Sequence, residues 1–324
     1  MPMIRRAMHT AGKPLKLLAS PWSPPAWMKT TGRMNNGSEL KPEYRRAWAA
    51  CLCRYIQEYV RAGISVWGLT CQNEPLTISN WENCNWSAEQ ERDFVRDYLG
   101  PALQASGLGH IKLLVWDHNR NRIYERVRVI YGDRHAAGYV WGAAYHWYCG
   151  DHFDNLHLVH NVWPDKALLF TEGCVEGGPH IGEWAPAERY AHSLINDLNG
   201  WSVGWIDWNL LLDEQGGPNH AGNFCHAPVL ADTASGRLMY QPAYYALGHF
   251  SRFIQPGSRR IASSSTLDEL ETTAALNPDG TIAVVVLNRT DRSFAFSLYY
   301  RDRKAPTVCP AHALRTFYFH SHLE

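Results

Sequence analysis

Six short, almost unbroken apolar runs recur through the first two-thirds of the chain: 15–20 (LKLLAS), 64–71 (ISVWGLTC), 111–117 (IKLLVWD), 138–147 (GYVWGAAYHW), 167–172 (ALLFTE) and 203–210 (VGWIDWNL). Helical patterns separate them at 43–62, 87–106, 121–131, 152–160 and 186–199. Strands that are apolar at nearly every position, rather than at alternate ones, are buried on both faces, as in a parallel sheet covered by helices. The β-α-β-α order therefore restricts this part of the chain to an α/β barrel or a doubly wound sheet. One helix start is fixed by a capping box, Ser87-x-x-Gln90, at the head of 87–106.

The texture changes after a further helix around Pro242–Phe253. Runs at 259–265, 270–276, 281–288, 293–300 and 313–319 read as strands with no helix between them, and Asn277-Pro278-Asp279-Gly280 is a hairpin turn. The expected organisation is an α/β domain over 1–254 and an all-β module over 255–324. With 31 Lys+Arg against 31 Asp+Glu in 324 residues and 45% hydrophobic residues, the chain is no disordered polymer. Zero net charge also argues against nucleic acid or anionic lipid as its partner. No apolar run approaches the ~18 residues of a membrane span, and the first residues lack the apolar core of a signal peptide. The eight cysteines show no C-x-x-C and no regular framework, so they read mostly as buried thiols.

Polar groups gather where the strands end. The second run leads into Gln72-Asn73-Glu74-Pro75 and the fifth into Thr171-Glu172-Gly173. Both glutamates sit at C-terminal strand ends, the face on which a β/α barrel builds its active site. Two carboxyls converging across such a mouth are what glycoside hydrolysis requires, one to protonate the departing oxygen and one to attack or to activate water. Asn73 can hydrogen-bond a sugar 2-hydroxyl, and Trp81, Trp86 or Tyr148 can desolvate a carboxyl and keep it protonated. A Glu172 that accepts hydrogen bonds, for instance from Tyr148, would stay ionised. His146-Trp147-Tyr148 and Asp207-Trp208-Asn209 close two further strands, and 14 Trp and 16 Tyr suit stacking against sugar faces.

Three other patterns carry less. Gly200-x-Ser202-x-Gly204 spells a nucleophile elbow, but a helix precedes it and a strand follows, the reverse of what that motif needs. His152, His157 and His160 read as a solvated helix face without a third metal ligand. Arg120, Arg122, Arg126 and Arg128, interleaved with Asp117, Glu125 and Asp133, read as an ordinary charged helix exterior.

The stretches LLASPWSPPAWMKT (17–30), QNEP (72–75), HWY (146–148), FTEGC (170–174), DWNLLLDEQGGPN (207–219), QPAYYALGHFSRFIQPGS (241–258) and VVVLNR (284–289) resemble glycoside hydrolase family 30, in family order over nearly the whole chain. The resemblance implies a TIM barrel, (β/α)8, with a β-sandwich-like side domain. It also implies a retaining double displacement on β-glucosides such as glucosylceramide, and no metal or other cofactor. It makes Glu74 the general acid/base and Glu172 the nucleophile, and it has Asn73 contact the 2-hydroxyl. Tyr148 would orient the nucleophile, Trp27 and Trp208 would line the sugar pocket, and His146, Asn223 and Cys174 would be near neighbours. In that frame the visible strands are the family's third to eighth, and the first two are expected to be absent. Their absence would leave open barrel edges that favour self-association. It also keeps a second hypothesis alive, a catalytically impaired carbohydrate-binding homologue.

Overall fold

The apolar runs of the first half do form one parallel sheet. In the computed structural model, which describes residues 1–321, a helix α1 (Pro2–Ala11) precedes β1 (Leu17–Ala19). There follow α2 (Arg45–Arg61), β2 (Val66–Thr70), α3 (Ala88–Phe94), α4 (Gly100–Ala105), β3 (Lys112–Asn119), α5 (Ile123–Tyr131), α6 (Arg134–Tyr139), β4 (Gly142–His146), α7 (Asp154–Val162) and β5 (Ala167–Glu172). The strands lie side by side in chain order, with Leu17 opposite Val66, Gly68 opposite Lys112 and Leu114 opposite Gly142. Parallel neighbours need a crossover, and the intervening helices provide it. Leu69, Leu113, Leu114, Val115, Ala143 and Tyr145 are all buried, which accounts for the unbroken apolarity of β2 to β4. The chain divides into two compact units, Met1–Thr171 and Glu172–Glu324.

Several boundaries differ from the sequence reading for local reasons. The capping box at Ser87 forms with both hydrogen bonds, Gln90 N to Ser87 Oγ at 3.1 Å and Ser87 N to Gln90 Oε1 at 2.7 Å. The single helix expected after it is interrupted by a π turn, Val95–Leu99, in which Gly100 N–H reaches back to Val95 O. Pro101 follows directly and has no N–H to continue the regular ladder. Run 138–147 splits into the end of α6 and the strand β4. Helix α1, not assigned from the sequence, carries apolar residues at helical spacing, Ile4, Ala7, Met8 and Ala11, yet buries none of its residues.

The second unit opens with α8 (Ala185–Asn199) and the short β6 (Ser202–Trp205). A small sheet of β7 (Leu211–Asp213), β8 (Val229–Asp232) and β9 (Arg237–Tyr240), missed in the sequence, precedes α9 (Pro242–Ser251). Ser202 stands at the start of β6 and donates to Gly204 O at 2.8 Å, so its hydroxyl is no nucleophile on an elbow. The tail then forms β10 (Arg259–Ile261), β11 (Leu270–Leu276), β12 (Thr281–Asn288), β13 (Phe294–Tyr300), β14 (Arg303–Cys309) and β15 (Ala313–His320). Sheet β10-β11-β12-β15 faces the β13-β14 ribbon across a core that includes Ile282, Val284, Val286, Phe294, Phe296 and Phe317. The other face of β12, Val285 and Leu287, packs on Leu194 and Ile195 of α8 and Phe250 of α9. Every residue of β12 is therefore buried. Glu271 ties the same face to α8, accepting from Asn196 Nδ2 at 2.9 Å and lying 2.5 Å from His192 Nδ1.

Candidate active site

The loop after β2 is held from both sides before any site residue is considered. Cys71 N donates to Leu114 O and Asn73 N to Pro21 O, each at 2.9 Å. Gln72 lies buried beneath the loop, donating from Nε2 to Trp22 O at 2.7 Å and accepting from Trp86 Nε1 at 3.3 Å. Glu74 takes a left-handed backbone, φ 43°, which a residue with a side chain adopts at a cost of about 1–3 kcal/mol. Its N–H donates to Asp117 O at 2.9 Å, and its Oε2 accepts from Thr77 Oγ1 at 2.8 Å.

Opposite this loop, β3 carries a bulge. Trp116 pairs with Ala144 and His118 with Tyr145, leaving Asp117 as the extra residue, and Trp116 and Asp117 have φ of 75° and 48°. Bulges of this kind re-aim side chains at strand ends. Glu91 of α3 holds the bulge from behind: its Oε1 accepts from Trp116 N at 2.9 Å and its Oε2 from Arg126 Nε at 3.0 Å. Arg126 in turn donates to Trp86 O at 2.7 Å and lies over the Trp116 ring. The reading of the arginine run as a charged exterior is corrected here. Arg120 and Arg126 are buried, as is Asp117, and only Arg122 and Arg128 face solvent. Removing one partner of a buried ion pair strands the other charge, so Arg126→Met should destabilise the chain by about 3–5 kcal/mol. Urea unfolding tests this; a loss below ~1 kcal/mol, the scale of a surface pair, would contradict it.

The bulge delivers Asp117 to His146, the last residue of β4. His146 is fully buried, with Nε2 3.1 Å from Asp117 Oδ1 and Nδ1 3.0 Å from Glu74 Oε1. Thr171 Oγ1 donates to the same Asp117 oxygen at 2.6 Å. Burial pushes the Asp117 carboxyl up, but the hydrogen bond and charge of His146 and the Thr171 hydroxyl outweigh it, so Asp117 is ionised. Glu74 follows the same pattern: burial raises it, while His146, His118 and Thr77 bring it below the usual range. Glu74, His146 and Asp117 thus form a hydrogen-bonded line in which each nitrogen of the buried imidazole faces a carboxylate. His118, whose Nδ1 lies 3.7 Å from Glu74 Oε1, is pushed down to about 4 by burial and stays neutral.

The remaining predicted residues fall in both units. In the first, Asn73 is buried beside Glu74, and Trp27 is 57% exposed with its ring edge-on to Tyr44 at 5.0 Å. Tyr148 is fixed by its N–H, which donates to Asn119 Oδ1 at 2.7 Å. In the second, Glu172 is buried at the end of β5, and Trp208 N donates to Gly173 O at 3.0 Å, which seats that half-exposed indole beside the strand end. Asn223 donates to Glu176 Oε1 at 3.0 Å, and Cys174 is buried. None of the eight cysteines is in a disulfide, and six of them are buried. Sequence reasoning missed Asp207, which accepts from Tyr190 Oη at 2.9 Å and Trp208 N at 3.0 Å and is pushed up to about 8 by burial. It also missed the parts played by Asp117 and His118, although their place at a strand end was a usable signal.

Comparison with known proteins fits this geometry. Residues 1–254 match the model of the glycosyl hydrolase family 30 TIM-barrel domain, and residues 257–317 that of the family 30 beta sandwich domain. The chain belongs to glycosyl hydrolase family 30.

Among family 30 relatives, it is 37% identical over 95% of its length to putative glucosylceramidase 4 of Caenorhabditis elegans. It is 35% identical over 98% of its length to the lysosomal acid glucosylceramidase of Mus musculus. It spans 62% and 65% of the lengths of those two proteins. The crystal structure of SrfJ from Salmonella typhimurium superposes with a TM-score of 0.94 at 36% identity, covering 99% of this chain and 72% of that one. An endo-beta1,6-glucanase structure gives 0.87 at 30% identity, covering 99% and 74%. The fold is accordingly a part-barrel of parallel strands of the TIM-barrel type with a β-sandwich side domain. In this family 30 frame the sheet β1 to β5 is barrel wall, and Glu74 and Glu172 stand at the C-terminal ends of β2 and β5.

Proposed function

We propose that the chain hydrolyses β-glucosidic bonds by a retaining double displacement, with Glu74 as general acid/base and Glu172 as nucleophile. The observation that carries the reading is the Glu74–His146–Asp117 line. A general acid needs a proton within hydrogen-bond reach of the departing oxygen, and an environment that takes the proton back in the second step. His146, 3.0 Å from Glu74 and backed by the buried Asp117, is the hydrogen-bond partner that supports this exchange at Glu74. Glu172 attacks the anomeric carbon as the aglycone departs with the proton from Glu74. Water activated by Glu74 then releases the sugar. The family resemblance assigns Asn73 to the 2-hydroxyl, Tyr148 to orienting the nucleophile, and Trp27, Trp208, His146 and Asn223 to sugar binding.

The choice of glucosides is supported by relatives whose names point to the same glycone, glucosylceramidases on one side and an endo-1,6-beta-D-glucanase of Trichoderma harzianum, 29% identical, on the other. Glucosylceramide-like substrates are the favoured class, since those relatives have the higher identity. Proton NMR of the first-formed sugar tests the mechanism. Two displacements predict the β-anomer from a β-glucoside; an initial α-anomer would contradict them.

A further inference from the structure

The same corner of the first unit adds His118, which the hydrolytic reading does not use, to Glu74 and His146, which it does. Glu74, His118 and His146 each offer one ligand atom, and the three atoms lie within 4.8 Å of one another. Glu74 Oε1 is 3.0 Å from His146 Nδ1 and 3.7 Å from His118 Nδ1. Ligands at about 2.0–2.1 Å in a tetrahedral zinc site stand ~3.3 Å apart, so the two Glu74 spacings lie close to that value and the third is within 4.8 Å.

Two further observations point to a cation. His118 Nδ1 is buried and has no hydrogen-bond partner. His146 meets Asp117 Oδ1 through its other nitrogen, at 3.1 Å. A carboxylate behind a ligating histidine orients the ring and raises its basicity, the usual outer support of a bound metal. The bulge at Asp117 creates both features at once, since consecutive residues of β3 furnish the outer carboxylate and the free imidazole.

We propose that Glu74, His118 and His146 form a binding site for a divalent transition-metal ion of the zinc class, whose occupancy blocks hydrolysis by capturing the Glu74 carboxylate. Two imidazoles and one carboxylate, with a fourth position open, suit zinc or cobalt better than the all-oxygen shells of magnesium or calcium. The ion is an inhibitor here, held where the acid/base must exchange its proton. That consequence rests on the role given to Glu74 above; the binding itself does not.

Cobalt(II), which reports its coordination in the visible spectrum, tests the binding directly. Chelator-treated protein carrying Cys51→Ser and Cys149→Ser, so that the two exposed thiols cannot ligate, is titrated with CoCl2. One equivalent should saturate a four- or five-coordinate absorption band that ZnCl2 then abolishes. His118→Gln should weaken the binding at least ~10-fold, and Asp117→Asn, which leaves all three ligands in place, by ~10–100-fold. Circular dichroism identifies a variant that fails to fold, in which case the other decides. The absence of a saturable band, or a band indifferent to both substitutions, would overturn the site. The parallel measurement is turnover of an aryl β-glucoside, which zinc should suppress at the occupancy seen with cobalt and chelator should restore. Binding without inhibition would overturn the blocking role while leaving the ion site standing. A chain that binds the ion but shows no turnover without it refutes the hydrolytic proposal instead.

Discussion

Glu172→Gln is expected to reduce turnover by ~10,000-fold or more on every β-glucoside, activated or not. The amide cannot attack the anomeric carbon, and no leaving group, however good, replaces a missing nucleophile. The carboxylate stands buried at the end of β5, and the amide is nearly isosteric, so the substitution should leave the fold intact. Steady-state kinetics on an aryl and an alkyl glucoside measure the effect. A substantially active variant on either substrate would remove Glu172 from the nucleophile's role.

Glu74→Gln should behave differently, and the difference is diagnostic. For an alkyl glucoside the departing oxygen must be protonated, and loss of the acid should cost ~100–10,000-fold. For an aryl glucoside with an acidic phenol the first displacement needs no proton and should proceed at close to its normal rate. The second still needs a base, so the sugar should accumulate on the enzyme and an initial burst of phenol should precede a slow steady state. Equal losses on both substrates without a burst would contradict the assignment. With Gln at 74 the His146 imidazole also loses one of the two carboxylates that face its nitrogens, while Asp117 stays in place on the other.

How far the chain could be read before its structure was known follows from what kind of burial each part has. β2, β3 and β4 were legible because helices cover them, which makes nearly every position apolar. β12 was legible for the same reason, with the ribbon of β13 and β14 on one side and α8 and α9 on the other. The strands β7 and β9 are short and largely exposed, so they left no pattern. β14 contains Pro306, which normally demotes a strand, and is tolerated in a two-stranded ribbon where each strand has a single ladder neighbour.

The site divides along the same line. Glu74 and Glu172 could be found because they end apolar strands in short polar motifs. Asp117 ended an apolar run and so carried the same signal as the two glutamates, but its burial, like that of Arg126, depends on partners far away in the chain. Arg126 meets Glu91 across 35 residues, and Asp117 meets His146 across 29. The bulge that aims Asp117 leaves no mark in the composition of β3, since a bulge depends on register with the neighbouring strand.

The assignment of Glu172 as the residue that carries the sugar is tested most directly by trapping. A β-glucoside with fluorine in place of the 2-hydroxyl and a good leaving group slows both displacements but lets the first proceed, so the glycosyl-enzyme persists long enough for digestion and mass spectrometry. The account predicts one fluoro-sugar per chain, attached to the peptide containing Glu172 and absent from Glu172→Gln. A label on any other carboxylate, Glu74 included, or an active chain that never becomes labelled, would contradict it.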